Sequence, residues 1–149
     1  GEFSVKSDTR FREVITACAM IKRQHEKGTW INNDIIEAYC VLHEMGWAHS
    51  IEVYTEDGVE LLGGLYGISM GRLFFGESMF SRRPDASKAA FIRGARAMID
   101  LGIKIIDCQL PTPHLLSLGA EEISRTDYMD RLESLQNFPD LRGKWNLFR

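Results

Sequence analysis

The chain has 149 residues, of which 44% are hydrophobic and 26% charged, a composition typical of one globular domain and not of a disordered or collagen-like chain. No apolar run approaches the roughly 18 residues of a membrane helix, and a net charge of −3 argues against a broad basic surface for nucleic acid, though not against a local basic patch. Three widely spaced cysteines without a C-x-x-C pair, and no visible signal peptide, predict reduced thiols in a cytoplasmic protein.

Two helices are predicted at the start of the chain. The first follows a cap at Ser7 or Asp8 and fades near residues 27–28, and the second begins near residues 32–33 and stops at Gly46. The apolar faces that define them are Phe11, Val14, Ile15, Cys18 and Ile21 in the first helix, and Ile35, Ile36, Tyr39, Leu42 and His43 in the second.

Three neighbouring antiparallel strands are predicted next. Ile51 and Val53 alternate with polar residues up to a turn at residues 56–58, and two more strands are expected over residues 59–69 and 73–80.

The remaining elements complete a mixed sheet. Asp85 predicts the cap of a third helix that ends at Gly102, and residues 103–108 form an apolar run typical of a short buried strand. A loop with two prolines then leads to a last helix over residues 126–135. The expected apolar face of the third helix is Phe91, Ala95, Met98 and Ile99. This order predicts an α+β layered fold.

The common catalytic signatures are missing. The sequence contains no H-E-x-x-H, no G-x-S-x-G, no phosphate-binding loop and no dinucleotide fingerprint. Its four histidines do not have metal-ligand spacing, so no metal site is expected. Cys18 and Cys40 lie on apolar helix faces, which favours the core over a nucleophilic role.

Three polar residues stand out from apolar surroundings. In an unbroken strand Glu77 would share a face with Phe75 and Met79, which is costly unless the carboxylate meets a partner or ligand, a bulge turns it away, or the strand edge leaves it in water. Asp107 and Gln109 end an apolar run, and alternation would place them on one side of the strand, about 7 Å apart. Such a pair can position an amine or hydroxyl, or simply cap the strand end.

Trp30 follows Gly28-Thr29 in the connection between the first two helices. Its ring can cover the core or offer a flat face on which a nucleic-acid base stacks, and the pattern alone favours neither.

Short strings in a fixed order extend across roughly residues 10–130 and carry a family resemblance. They are Gly28-Thr29-Trp30-Ile31, Glu37-Ala38-Tyr39, Leu42-His43-Glu44, Ala48-His49-Ser50-Ile51-Glu52-Val53, Gly63-Gly64-Leu65-Tyr66-Gly67, Phe75-Gly76-Glu77-Ser78-Met79-Phe80-Ser81, Ala86-Ser87-Lys88, Ile106-Asp107-Cys108-Gln109, His114 and Ser117-Leu118-Gly119-Ala120. Together they resemble the leucyl/phenylalanyl-tRNA–protein transferases of bacteria.

The resemblance implies an acetyltransferase-like (GNAT-type) mixed sheet flanked by helices. It also implies an enzyme that moves Leu, Phe or Met from aminoacyl-tRNA to the N-terminal amine of proteins beginning with Lys or Arg, and so marks them for degradation. The expected partners are the 3′ end of the tRNA and the acceptor N-terminus, with no cofactor, no membrane and a monomeric enzyme. Family members commonly carry a further N-terminal segment, which we expect to be missing before Gly1.

The resemblance also implies residue roles. Trp30 and Tyr39 would hold the terminal adenosine, Glu77 would contact the α-amino end of the aminoacyl group, and Asp107 and Gln109 would lie at the peptide-forming centre. The other expected substrate-binding residues are Leu65, Phe74, Ser78, Met79, Phe91 and Ile106, with Phe91 filling the space of a bulky pocket residue that Gly94 replaces.

A neutral amide has almost no basicity, so Gln109 is expected to orient the amine while Asp107 polarises or fixes Gln109. The vicinal hydroxyl of the terminal ribose could equally carry the proton. Two alternative functions are an acyl-CoA-dependent N-acyltransferase, for which the sequence lacks the usual pyrophosphate-binding loop, and a non-catalytic tRNA- or peptide-binding module on the same fold.

Overall fold

A computed structural model describes residues 3–25 and 32–148 of the chain. Its elements are β1 (Ser4–Ser7), α1 (Phe11–His25), α2 (Asn33–Glu44), β2 (Ala48–Tyr54), β3 (Leu61–Met70), β4 (Leu73–Ser81), α3 (Ala86–Leu101), β5 (Ile105–Asp107), α4 (Pro113–Ser117) and α5 (Arg125–Leu135). The five strands form one sheet in sequence order, antiparallel except for the parallel pair β4 and β5. The predicted mixed α+β sheet is therefore confirmed.

Helices cover both faces of the sheet. On one face α1 and α2 pack against Tyr66 and Phe80, and on the other α3 packs against Ile51, Leu65 and Phe74. None of the described helices combines the length and apolar character that crossing a bilayer requires. The predicted core positions Cys18 and Cys40 are both buried.

The N-terminal end differs from the prediction, because Ser7 closes the edge strand β1 and neither it nor Asp8 caps a helix. Asp8 has a left-handed backbone (φ 55°), and its carboxylate accepts the backbone N–H of Ser50. The backbone entering α1 donates to a carboxylate of the neighbouring strand, from Thr9 N–H to Glu52 at 3.2 Å. Burial raises the pKa of Glu52, and its carboxyl oxygens accept N–H groups that the start of the helix would otherwise leave unpaired.

The predicted face of α3 is correct at Phe91, Ala95 and Met98 and wrong at Ile99. Asp85 stands at the N-cap position, but with φ 67° it makes no side-chain cap hydrogen bond, and Ile99 is 61% exposed. A Cβ on Gly94 would lie 3.1 Å from Cγ1 of Ile51, so the helix lies close to the sheet and buries mainly small residues. Its buried residues are Ala86, Ala90, Gly94 and Met98, while Phe91 and Ala95 are half-buried beside them.

The C-terminal part keeps the predicted order with shorter elements. β5 has three half-buried residues where a buried strand over residues 103–108 was expected, because it pairs only with β4. The short helix α4 lies in the predicted proline loop, with Thr112 as its N-cap, and α5 begins one residue before the predicted range.

Candidate active site

A β-bulge in β4 sets the position of Glu77. Tyr66 pairs with Ser78 and Gly67 pairs with Gly76, so Glu77 is the extra residue of β4 and has no partner in β3. A Cβ on Gly67 would collide with the carbonyl oxygen of Phe75 and lie 2.6 Å from Cζ of Phe74. Only glycine therefore permits this close approach, and the bulge explains how a half-buried carboxylate fits into an apolar strand.

The Glu77 carboxylate accepts a hydrogen bond from Tyr39 of α2. Burial, the negative charge of Glu77 and a hydrogen bond to that carboxylate raise the pKa of Tyr39 to about 12. Tyr39 is thus a protonated donor at neutral pH. Its ring meets that of Tyr66 edge to face at 5.5 Å, and within the described residues the buried Tyr66 hydroxyl has no hydrogen-bond partner.

The sheet opens next to this bulge. The pairing of β4 with β5 ends at Phe75 and Asp107, whereas β4 continues to Ser81. Asp107 and Gln109 therefore lie where the two strands separate, beside Glu77. The structure brings together the three polar residues that the sequence singles out.

Asp107 and Gln109 are joined by a turn, and the expected strand alternation does not extend to Gln109. β5 ends at Asp107, and Gln109 has a left-handed backbone with φ 66°. Oδ1 of Asp107 accepts the backbone N–H of Gln109 at 2.8 Å, and Nε2 of Gln109 donates to the carbonyl oxygen of Gly76 at 2.9 Å. Asp107 thus fixes the backbone of Gln109, while the exposed amide bridges the two strands.

Sequence reasoning missed a fourth polar residue at this opening, Tyr128 of α5. Its hydroxyl donates to Oδ2 of Asp107 at 2.6 Å. Burial and the hydrogen bond to Asp107 raise the pKa of Tyr128 to about 12, so the hydroxyl keeps its proton at neutral pH. The available signal was that Tyr128 is the one aromatic residue of α5.

The predicted apolar residues lie on the opposite face of the sheet, the face covered by α3. Leu65 is opposite Met79 in the β3–β4 pair, and Phe74 is opposite Ile106 in the β4–β5 pair. Phe91 packs against the same cluster. Leu65 and Phe74 are buried, whereas the other three are half-buried and can line a pocket. The polar set and the apolar set therefore lie along the same strands, on opposite faces of the sheet.

The other positions singled out from the sequence are Ser78, Trp30 and Gly94. Ser78 is half-buried opposite Tyr66, on the face covered by α1 and α2, and Trp30 lies outside the described residues. Gly94 provides close helix packing and not a vacant pocket position, because a side chain there would press on Ile51. In the described part of the chain no group of three or more His, Cys, Asp or Glu could hold a metal ion.

Comparison with known sequences gives a consistent assignment. Residues 1–133 match the family model described as leucyl/phenylalanyl-tRNA protein transferase. Relatives with that name from Desulfatibacillum aliphaticivorans and Myxococcus xanthus are 50% and 48% identical over 97% of this chain. The chain spans 61% of the length of each relative.

Solved structures show the same fold. An aminoglycoside acetyltransferase from an uncultured soil sample has a TM-score of 0.59 at 12% identity, covering 82% of this chain and 91% of its own. A GNAT-family acetyltransferase from Staphylococcus aureus Mu50 has a TM-score of 0.56 at 15% identity, covering 98% of this chain and 99% of its own. The predicted GNAT-type architecture is confirmed.

Proposed function

Because this chain belongs to the leucyl/phenylalanyl-tRNA–protein transferase family, we propose that it is the catalytic domain of an aminoacyltransferase. It moves Leu, Phe or Met from the 3′ end of aminoacyl-tRNA to the N-terminal amine of a protein that begins with Lys or Arg, marking it for degradation. The arrangement of Asp107 and Gln109 at the opening beside Glu77 carries the proposal. The enzyme acts in the cytoplasm as a monomer.

The reaction needs orientation and proton transfer more than activation, since the aminoacyl ester is already reactive. The amine nitrogen attacks the ester carbonyl carbon, the new C–N bond forms, and the C–O bond to the ribose breaks. The attacking nitrogen loses a proton and the departing ribose oxygen gains one. One proton passed from the attacking nitrogen to the ribose oxygen therefore balances the reaction.

Gln109 is suited to holding the acceptor. Its Nε2 donates to the carbonyl oxygen of Gly76. Among the described residues none donates a hydrogen bond to its Oε1. That oxygen can accept an N–H of the incoming amine and aim the nitrogen lone pair at the ester. Asp107 accepts two hydrogen bonds and keeps further lone pairs with which to stabilise the charge that develops on the nitrogen. The proton then leaves through Asp107 or through the vicinal ribose hydroxyl.

The donor is held from both faces of the sheet. The Glu77 carboxylate faces the α-amino end of the aminoacyl group, with Ser78 next to it. The side chain of the amino acid enters beside the half-buried residues Met79, Phe91 and Ile106, against which the buried Leu65 and Phe74 pack. Tyr39 and Trp30 contact the terminal adenosine.

The test is transfer of radiolabelled Phe or Leu from charged tRNA to peptides. A peptide beginning with Lys should be modified, and the same peptide with an acetylated N-terminus should not. If Asp107→Ala and Gln109→Ala transfer at the wild-type rate, the assignment of the reaction centre is wrong.

An acyl-CoA-dependent N-acyltransferase is the second candidate, favoured by the likeness to acetyltransferase structures. Acetyl-CoA offered in place of charged tRNA decides between them, since only the second candidate would acetylate the peptide. Binding of charged tRNA or peptide without transfer from either donor would identify a non-catalytic module.

A further inference from the structure

We infer that Tyr128 is a positioning residue of the reaction centre, which holds Asp107 in the orientation that fixes Gln109. The inference rests on the proposed function, because it gives Tyr128 a role in aminoacyl transfer.

The two oxygens of Asp107 have separate donors. Oδ2 accepts the Tyr128 hydroxyl at 2.6 Å, within the short range of charge-assisted O–H···O⁻ hydrogen bonds. Oδ1 accepts the Gln109 backbone N–H at 2.8 Å. Rotation of the carboxylate breaks both bonds together, so the hydroxyl opposes any movement that would release Gln109.

Gln109 depends on this support. Its φ of 66° lies in the left-handed region, which is unfavourable for a residue with a Cβ. Its backbone N–H is held by Asp107, and its side-chain amide is held by Gly76. A continuous series of hydrogen bonds therefore runs from Tyr128 through Asp107 to Gln109 and leaves Oε1 of Gln109 free for the acceptor amine.

The helix α5 presents Tyr128 on a defined element. Ser124 caps the helix by accepting the N–H of Asp127 at 3.1 Å, and Leu135 at the far end is buried. Between residues 121 and 130, all of which are described, Tyr128 is the only residue that is not exposed. The first half of α5 therefore contacts the domain through this side chain.

Two readouts separate positioning from a purely structural role. The first is transfer kinetics of Tyr128→Phe, Asp107→Asn and the double variant, and the second is hydrogen exchange at the Gln109 amide. Tyr54→Phe is the matched control, because it removes a tyrosine hydroxyl that is hydrogen-bonded to Thr9 at 2.8 Å, far from β5 in the sheet.

Tyr128→Phe should lower kcat roughly ten- to a hundredfold, the effect of losing one hydrogen bond to a charged group. KM for the charged tRNA should change by less than about twofold, since the donor site is untouched. In the Asp107→Asn background the second change should have no further effect, because Tyr128 acts through Asp107. The Gln109 amide should exchange at least about tenfold faster in Tyr128→Phe and at the wild-type rate in Tyr54→Phe.

Three results would overturn the inference: equal losses of kcat in both tyrosine variants, a full additional loss in the Asp107→Asn background, or unchanged exchange at Gln109. If the wild-type chain transfers nothing from charged tRNA, the proposed function fails. The exchange experiment then still decides whether Tyr128 holds the turn.

Discussion

Asp8 and Asp107 are both aspartates at the end of a strand, but their surroundings differ. Asp8 is buried, with Oδ1 accepting the backbone N–H of Ser50 and Oδ2 accepting that of Trp145 at 2.7 Å while lying 2.8 Å from Nδ1 of His49. Asp107 is half-buried, accepts one hydrogen bond on each oxygen, and faces an opening of the sheet. A carboxylate whose lone pairs are mostly used inside the protein stabilises the fold, whereas one that keeps some free can act on a substrate.

The Asp8 cluster joins parts of the chain that are far apart in sequence. Asp8 precedes α1, His49 belongs to β2, and Trp145 lies in the C-terminal tail, where its ring stacks on His49 at 3.7 Å. Ser7 adds two bonds to the tail, donating to the Trp145 carbonyl oxygen and accepting the Leu147 N–H. The tail is thereby fastened to the edge of the sheet next to β1.

The largest expected effect is a loss of stability on removing the buried carboxylate. Asp8→Ala leaves two backbone donors and His49 unpaired, so the free energy of unfolding should fall by about 3–5 kcal/mol, as for other broken buried pairs. Urea unfolding measures it. The comparison fails if Asp107→Ala destabilises the fold as much as Asp8→Ala does.

The second largest expected effect is a loss of activity on removing the Asp107 carboxylate. Asp107→Ala should lower transfer of Phe from charged tRNA by about a hundredfold or more, in the range of a lost acid–base or positioning group. Its free energy of unfolding should change by about 1 kcal/mol or less, because the site is partly open to water. A rate loss that merely follows the unfolded fraction would contradict this assignment.

Two glycines provide a second comparison, between a crowded backbone position at Gly67 and an open one at Gly76. Gly67→Ala places a Cβ against the Phe74 ring and the Phe75 carbonyl, so the free energy of unfolding should fall by about 1–3 kcal/mol, a typical cost of overpacking. At Gly76 the added Cβ meets only the Asp107 carbonyl oxygen, at an ordinary 3.4 Å. Gly76→Ala should therefore have much less effect on unfolding, and a loss equal to that of Gly67→Ala would refute the explanation.

Much of the fold could be predicted because its elements have strong local patterns. The helices α1 and α2 and the strands β2 to β4 follow from apolar periodicity and from turns. β1 was missed because Val5 is the one apolar residue among its four, too few to show the alternation that identifies a strand. On α3 the prediction wrongly included Ile99 and left out Ala90 and Gly94, because periodicity emphasises large residues whereas close contact with the sheet selects small ones.

The polar residues of the candidate site were visible in the sequence, but their arrangement was not. The bulge at Glu77 depends on the register with β3, which the sequence of β4 alone leaves open. The turn at Gln109 depends on a left-handed φ that Asp107 stabilises. Tyr128 is 21 residues from Asp107, and only the tertiary placement of α5 brings them together.

The smallest expected effect is a change of stability at alkaline pH, and it distinguishes the tyrosines of the site from the Asp8 cluster. Tyr39 and Tyr128 have pKa values raised to about 12, each with burial as the largest cause, compared with about 10 in an unfolded chain. Between these values the folded state holds protons that the unfolded state releases, so this contribution is complete below about pH 10 and is lost as the pH rises towards 12. Urea unfolding from pH 9 to 12 should show a shallower decline for the variant carrying Tyr39→Phe and Tyr128→Phe than for the wild type. Asp8→Asn should shift the whole curve downwards without changing its slope, and coincident slopes for the wild type and the double tyrosine variant would contradict the proposed protonation of these two hydroxyls.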